Sequence, residues 1–332
     1  MNRPTLEAVA ARAGVGRGTV SRVINGSPHV SDKAREAVRQ AIRELGYVPN
    51  RAARALVTRR TDTVALVVSE SEVRVFDEPC FAGTIRGIGS ALAETGLQLI
   101  LAMAQSREEH QRLEDYLTGQ HVDGVLLLSL HGADPLPGRL EAMGVPTVLG
   151  GRPVGPSPCC YVDMDNREGA RQAVTHLLGL GRRAVAAIAG PQDMGVGVDR
   201  LAGYHDALLA SGLPRIVAYG DFSEESGAAA MRELLERQPR LDAVFAASDL
   251  MAVGAMRELK AAGRAVPLDV AVVGFEDSKA ALHTDPPLTT VHQPAEEMGR
   301  QMARLLVARI NGEELCRPVV ILDTHLVIRA SA

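Results

Sequence analysis

TLEAVAARAGVGRGTVSRVING at residues 5–26, continued by SPHVSDKAREAVRQAIRELGY at 27–47, sets three short helix patterns almost end to end. Thr5 is a good N-cap for a first helix whose apolar positions Leu6, Val9, Ala10 and Ala13 share a face, and Gly14 stops it. A second pattern runs from Arg17 to Asn25. Val20, Val23 and Ile24 form its inner face, while Arg17, Gly18, Ser21, Arg22 and Asn25 fall on the other. Ser31 caps a third helix with Val38, Ala41, Ile42 and Leu45 on one side, closed by Gly46. Such spacing predicts a helix-turn-helix unit. A plain three-helix bundle with a solvated basic face has the same pattern.

Charge separates the two ends of the chain. Residues 1–60 hold 12 Lys+Arg against 4 Asp+Glu, leaving 24 against 36 for the remainder. A small basic region on an acidic body points to a polyanionic partner for the first part alone, since phosphate neutralisation dominates nucleic-acid affinity. Between the two lies NRAARALVT (50–58), a capped helical pattern too short to be stable alone, because isolated helices under about 12 residues are marginal. It is either a helix that forms against a partner or a basic linker.

From Thr63 onward the pattern changes. TVALVVS (63–69), LQLILAM (97–103), VDGVLLLS (122–129), AVAAIAG (184–190), DAVFAAS (242–248) and DVAVVGF (269–275) are near-continuous apolar runs alternating with amphipathic stretches. Strands covered on both faces have this composition, which predicts parallel sheets flanked by helices. The series occurs twice, the second opening after GGRPVGPSP (150–158). Two doubly wound subdomains would hold a ligand outside the carboxyl ends of their strands. Polar residues, and the aromatic Phe222, cluster in the loops after those strands: Ser69 and Glu70, Asp163 and Asp165, Arg200, Asp221 with Phe222, Ser248 and Asp249, Glu276 and Asp277.

The helix-turn-helix stretch, with REAVRQAIRELGYVPNRAARALV behind it, resembles the headpiece of the LacI/GalR repressors without a gap through Leu56. VDGVLLL, VPTVLGGRP, DNREGA, DRLAGY, AASDLMAVG, VAVVGFEDS and PPLTTVHQP extend the resemblance over nearly the whole chain. It implies an all-α headpiece, residues 1–48, and a hinge helix within 49–60. It also implies an α/β core, residues 61–332, of two doubly wound parallel-sheet subdomains like those of periplasmic sugar-binding proteins. The subdomain boundaries expected are about 61–160 with 293–322, and about 161–292 with 323–332. The implied DNA-contacting set is Thr5, Leu6, Gly16, Arg17, Gly18, Thr19, Ser21, Arg22, Asn25, His29, Asn50, Ala53 and Leu56. Arg17 and Gly18 would set operator preference, and the fork of an arginine can donate twice to guanine. Leu56 would wedge into the minor groove of a two-fold symmetric operator. The implied effector set is Ser69, Phe81, Asp165, Arg200, Phe222, Ser248 and Glu276, to which the strand-end positions Glu70 and Asp249 are added. Carboxylates, an arginine and a serine suit hydroxyls, and an aromatic face suits a sugar ring.

Some positions depart from the family pattern. Gly16 stands where a capping serine is usual, Gly150 and Gly151 where an aspartate is common, and Glu276 where an aspartate is common. The segment SESEVRVFDEPCF (69–81) is also somewhat long. With GRGTVSRVING and LGGRP, these features look most like the cellobiose-responsive actinobacterial members, so a β-linked glucose disaccharide is the expected effector. The chain shows no GxSxG elbow, Walker loop or HExxH, and GVGVDR (195–200) fails the third glycine of a dinucleotide fingerprint. Neither an enzyme, a cofactor nor a metal is expected. Cys80, Cys159, Cys160 and Cys316 lack ligand spacing. MNRPTLEAVA has no signal-peptide core and no apolar run spans a bilayer, which predicts a cytoplasmic protein and opposes an exported sugar carrier. The closing VIRASA carries no heptad helix, predicting a homodimer.

Overall fold

Thr5, Gly14, Ser31 and Gly46 set the ends of the first and third helices. The computed structural model describes residues 4–24, 26–48, 60–70, 75, 78–104, 107–155, 159–314 and 318–332, and the chain divides into two units at Asp62 and Thr63. In the first unit α1 (Leu6–Ala13) begins where Thr5 Oγ1 accepts from the Ala8 N–H at 3.3 Å. It ends at Gly14, whose φ of 67° is open to glycine at no steric cost. α2 (Arg17–Ile24) follows at once, and α3 (Asp32–Leu45) starts where Ser31 Oγ accepts from Ala34 at 3.4 Å. Val9, Ala10, Val20, Val38 and Ala41 form the shared core, with Leu6, Ala13, Val23, Ile24, Ile42 and Leu45 packed around it. This is the helix-turn-helix unit expected. The helix expected within Asn50–Thr58, with the roles of Asn50, Ala53 and Leu56, lies outside the described residues, as do Asn25 and Cys316.

Among the described residues the second unit contains two six-stranded sheets. In the first subdomain β1 (Thr63–Val68), α4 (Pro79–Leu92), β2 (Gln98–Met103), α5 (Arg107–Thr118), β3 (Gly124–Leu128), α6 (Leu136–Ala142), β4 (Thr147–Gly150) and β5 (Cys160–Met164) follow in order. The second subdomain holds α7 (Asn166–Gly179), β6 (Val185–Ala189), α8 (Gly195–Ser211), β7 (Ile216–Tyr219), α9 (Glu224–Arg237), β8 (Ala243–Ala246), α10 (Asp249–Ala261), β9 (Ala271–Glu276), α11 (Lys279–His283) and β10 (Thr289–His292). The chain then returns to the first through α12 (Ala295–Ile310) and β11 (Val319–Leu322), and ends its last strand, β12 (His325–Val327), in the second.

The first sheet has the order β11-β5-β4-β3-β1-β2 and is parallel throughout. The second, β12-β10-β9-β8-β6-β7, is parallel except that β12 runs antiparallel to β10. All six apolar runs picked from sequence are strands, and β1, β3, β6, β8 and β9 are covered on both faces. β2 is the exception. It is an edge strand, and Leu101 is 40% exposed.

The chain passes between the subdomains three times, after β5, after β10 and between β11 and β12. The first passage follows Met164, a few residues beyond the boundary expected near 160, because CYVDM pairs with β4 and β11. The first and third passages are tied together where Asp165 N–H donates to Leu322 O at 2.9 Å and Thr324 Oγ1 donates to Asp165 O at 3.1 Å.

Candidate functional site

On the headpiece, the outer face of α2 is polar and open. Gly16, Arg17, Gly18 and Arg22 are exposed, Thr19 and Ser21 half-buried, and His29 exposed on the turn after the helix. No side chain caps α2 from Gly16, whose carbonyl instead accepts from Thr19 and Val20. Arg17 lies 3.2 Å from Glu7 of α1. Arg35 donates to the carbonyls of Ser27 and Val30 at 3.2 and 3.4 Å, holding the turn that carries His29. Thr5 and Leu6 have local roles, the one capping α1 and the other packing against the core. A rigid three-helix core thus presents a basic, hydrogen-bonding helix face of the kind that enters a major groove.

In the core unit a cavity opens where the strands of both sheets end, with about 680 Å³ of empty space including its mouth. Phe81 and Thr84 of α4, Ser129 after β3, Gly150 at the end of β4 and Gly151 just after it, and Asp163 of β5 line it from the first subdomain. Met194, Val196 and Arg200 of the α8 segment, Phe222 and Glu276 line it from the second, with Asn166 and Gln293 at the passages between.

Arg200 is the organising side chain, 2% exposed. Its Nε donates to Asn166 Oδ1 at 3.0 Å, Nη1 to Ala247 O at 2.6 Å and Nη2 to Gln293 Oε1 at 3.0 Å. The guanidinium lies over the Phe275 ring at 3.8 Å from its centroid and 5.9 Å from that of Phe222. Burial pulls its pKa below that of a free guanidinium, and Glu276, 3.8 Å away, resists the change. Three of the five N–H groups are held by protein acceptors, so the plane is fixed while both terminal nitrogens retain a donor.

Phe222 and Glu276 are both held at positive φ, 75° and 117°, which is strain kept where the surroundings enforce it. Ser248 supports Phe222 by donating to its carbonyl at 3.2 Å. Gly190 makes room for the ring, because a Cβ there would lie 2.3 Å from it. Gly151 faces open space, whereas a Cβ at Gly150 would meet Leu128 at 2.2 Å. The first glycine of the pair therefore serves packing, and the second, at a φ of 99°, serves the backbone turn beside the cavity.

Of the expected effector set, Phe81, Arg200, Phe222 and Glu276 line the cavity. Ser69, Glu70, Asp165, Ser248 and Asp249 are not in its lining. Asp165 caps α7, accepting from Glu168 N–H at 3.0 Å, and Ser248 caps α10, accepting from Met251 N–H at 3.2 Å. Asp249 is fully buried and accepts from Thr290 Oγ1 at 2.6 Å and Ser278 N–H at 2.7 Å, tying α10 to β10 and the loop after β9. Ser69 continues the sheet, its N–H donating to Leu128 O, and Glu70 accepts from Ser129 Oγ at 2.6 Å.

A carboxylate outside the expected set, Asp163, also reaches the cavity, and its Oδ1 accepts from Met164 N–H and Asn166 Nδ2 at 2.8 and 3.1 Å. Burial pushes its pKa up to about 6. Burial likewise raises the thiol of Cys80, another lining residue, to about 12, so it is no nucleophile. Asn166, Gln293 and Ser129 escaped the sequence reading. Asn166 could have been found, since DMDNRE places an amide one residue after the cap of a D-x-x-E box, but Gln293 carries no comparable signal.

A family model described as bacterial regulatory proteins, lacI family, matches residues 5–50, and one described as a periplasmic binding protein-like domain matches 174–332. The HTH-type transcriptional regulator CelR of Thermobifida fusca is 62% identical over 99% of this chain and 98% of its own. The HTH-type transcriptional repressor CytR of Escherichia coli K12 is 33% identical, covering 98% and 96%. A solved transcriptional regulator CelR–cellobiose complex matches with a TM-score of 0.80 at 60% identity, over 99% of this chain and 100% of that one. The lac repressor dimer bound to operator and the anti-inducer ONPF matches at 0.87 and 29% identity, over 99% of each chain.

Proposed function

Because the chain belongs to the LacI family of bacterial regulatory proteins, we propose that it is a homodimeric, cytoplasmic transcriptional repressor that leaves its operator when it binds cellobiose or a related β-glucoside. The headpiece reads a two-fold symmetric site through Arg17 and its neighbours on α2. A hinge helix within residues 50–58 adds the Leu56 wedge, and the core takes the sugar. The observation that carries the effector assignment is the buried Arg200, fixed in plane by three acceptors and set beside the Phe222 ring. Paired donors next to an aromatic face match adjacent ring hydroxyls above an apolar sugar face. The 62% identity to CelR over both units supports the choice of disaccharide.

The chemistry is binding, without turnover. Sugar and operator are linked through two core states, and the sugar shifts their balance only by its differential affinity for them. Mobility-shift titration of the full chain on its operator, with cellobiose, glucose and maltose compared, tests this. Release by cellobiose at the lowest concentration is the expected result. Release by maltose alone, or none by any β-glucoside, would overturn the assignment.

A further inference from the structure

His131 sits just past β3 and is held by carboxylates from both sides of the cleft. Its Nε2 lies 3.0 Å from Glu70 Oε1, at the end of β1, and its Nδ1 lies 2.9 Å from Asp193 Oδ2, on the loop between β6 and α8. Next to it, Gly132 N–H donates to Asp193 O at 2.7 Å. The Glu70 oxygen that meets the ring also accepts from Ser129 Oγ at 2.6 Å, and Ser129 lines the cavity. Asp193 immediately precedes Met194, which lines it from the opposite side. One imidazole therefore joins two cavity walls from behind.

A neutral imidazole has a single N–H and cannot donate to both carboxylates, whereas an imidazolium can. Burial of the ring works against that charge, but the hydrogen bonds to Glu70 and Asp193 outweigh it and raise the His131 pKa above its ordinary value. Glu70 faces the ring from the first subdomain and Asp193 from the second. On its own loop, Asp134 accepts from Leu136 N–H at 2.8 Å. Further along the cleft Arg152 and Asp199 form a second bridge, bidentate at 2.9 and 2.7 Å. An arginine keeps its charge at every physiological pH, so His131 is the member of these bridges that can respond to protons.

We propose that His131 is a positioning residue for effector capture: as an imidazolium it clasps Glu70 and Asp193, draws the Ser129 and Met194 walls together, and makes sugar binding take up a proton. The proposal rests on the reading of the cavity as a sugar site. Its sign follows from the raised pKa of the clasped state. The clasp is complete below the ordinary histidine value and is lost as pH rises through the raised one. Sugar affinity, and with it operator release, is therefore greatest at mildly acidic pH.

Two measurements on the full chain test it. Without ligand, NMR titration of carbon-13-labelled imidazoles, with His131 assigned from its loss in His131→Gln, should give a midpoint above that of a free histidine. Asp193→Asn, at a more exposed position, should bring it down. A midpoint at or below the free value, or one that Asp193→Asn leaves in place, overturns the clasp. With cellobiose as the probe, calorimetry between pH 6 and 8.5 should show wild-type affinity falling at least about threefold, and by no more than about tenfold per pH unit for one linked proton. His131→Gln should bind more weakly at pH 6 and with a flat profile; an unchanged slope in that variant overturns the coupling. Failure of the wild type to bind cellobiose at any pH would defeat the sugar reading and the role in capture, while the ligand-free titration still decides whether the clasp exists.

Discussion

Arg17 and Arg200 are the same side chain in opposite circumstances. The Arg17 side chain is 74% exposed and has Glu7 beside it at 3.2 Å, while that of Arg200 is 2% exposed, makes three hydrogen bonds and lies on an aromatic ring. Water screens the first pair, so Arg17 can leave Glu7 for a base edge at little cost. The second is built before any ligand arrives, and its desolvation is offset by acceptors that the fold aims at it. The headpiece surface is adaptable, and the core site is set in advance. Substitutions should therefore act on stability and recognition together in the core, and on recognition alone in the headpiece.

The strongest break in that contrast is Arg200→Ala. It strands the Ala247 carbonyl and the amides of Asn166 and Gln293, and should cost the core about 3–5 kcal/mol in denaturant unfolding, as removal of one partner from a buried charged network does. Response to sugar should vanish in the same protein. A variant of wild-type stability would mean that the network is not prebuilt. Asp163→Asn probes the same region through pH. The raised pKa, about 6 against an ordinary value near 4, means that the carboxylate's burial is best tolerated below pH 4 and costs stability as pH rises through 6. The amide can keep both acceptor contacts through its carbonyl oxygen. It should remove a slope in stability worth on the order of 2 kcal/mol between pH 4 and 7, measured by urea unfolding at each pH.

In the headpiece, Arg17→Ala should weaken binding to the preferred operator by about 1 to 3 kcal/mol and relax base preference at one position per half-site, with the melting curve unchanged. Equal weakening on every sequence would make it a phosphate contact. Smallest of all, Glu7→Gln removes the competitor for that guanidinium and should tighten operator binding, by less than about threefold in a mobility shift at low salt. A large loss would instead give Glu7 a positioning role.

What could be read from sequence follows the same division. Caps and apolar faces are local signals, and Thr5, Gly14, Ser31 and Gly46 end their helices as expected. Five of the six apolar runs are doubly covered strands, while VVIL and HLV, short edge strands whose partners are distant in sequence, carried no comparable signal. In the cavity, Phe222 and Glu276 are legible from strand-end position and family resemblance, and Arg200 and Phe81, which lie on helices, from the resemblance alone. The resemblance implies Asp165 and Ser248 as well, and strand-end position adds Asp249, yet a polar residue at a strand end can serve a helix terminus as well as a ligand. Glu168, three residues after Asp165, was the local hint that this carboxylate caps its helix.

Because the chain passes three times between the subdomains, the order of synthesis differs from the order of completion. Five strands of the first sheet are made by Met164, but its sixth, β11, is not made until Val319–Leu322. At ~5–20 residues per second, that edge stays open for roughly ten to thirty seconds on the ribosome. The second sheet is completed later still, by β12 at His325–Val327. The headpiece helices are finished after Leu45. A nascent chain can thus present a folded DNA-reading unit well before either half of the core can close on a sugar, and a transcript cut short anywhere between these points encodes a headpiece that no effector can control.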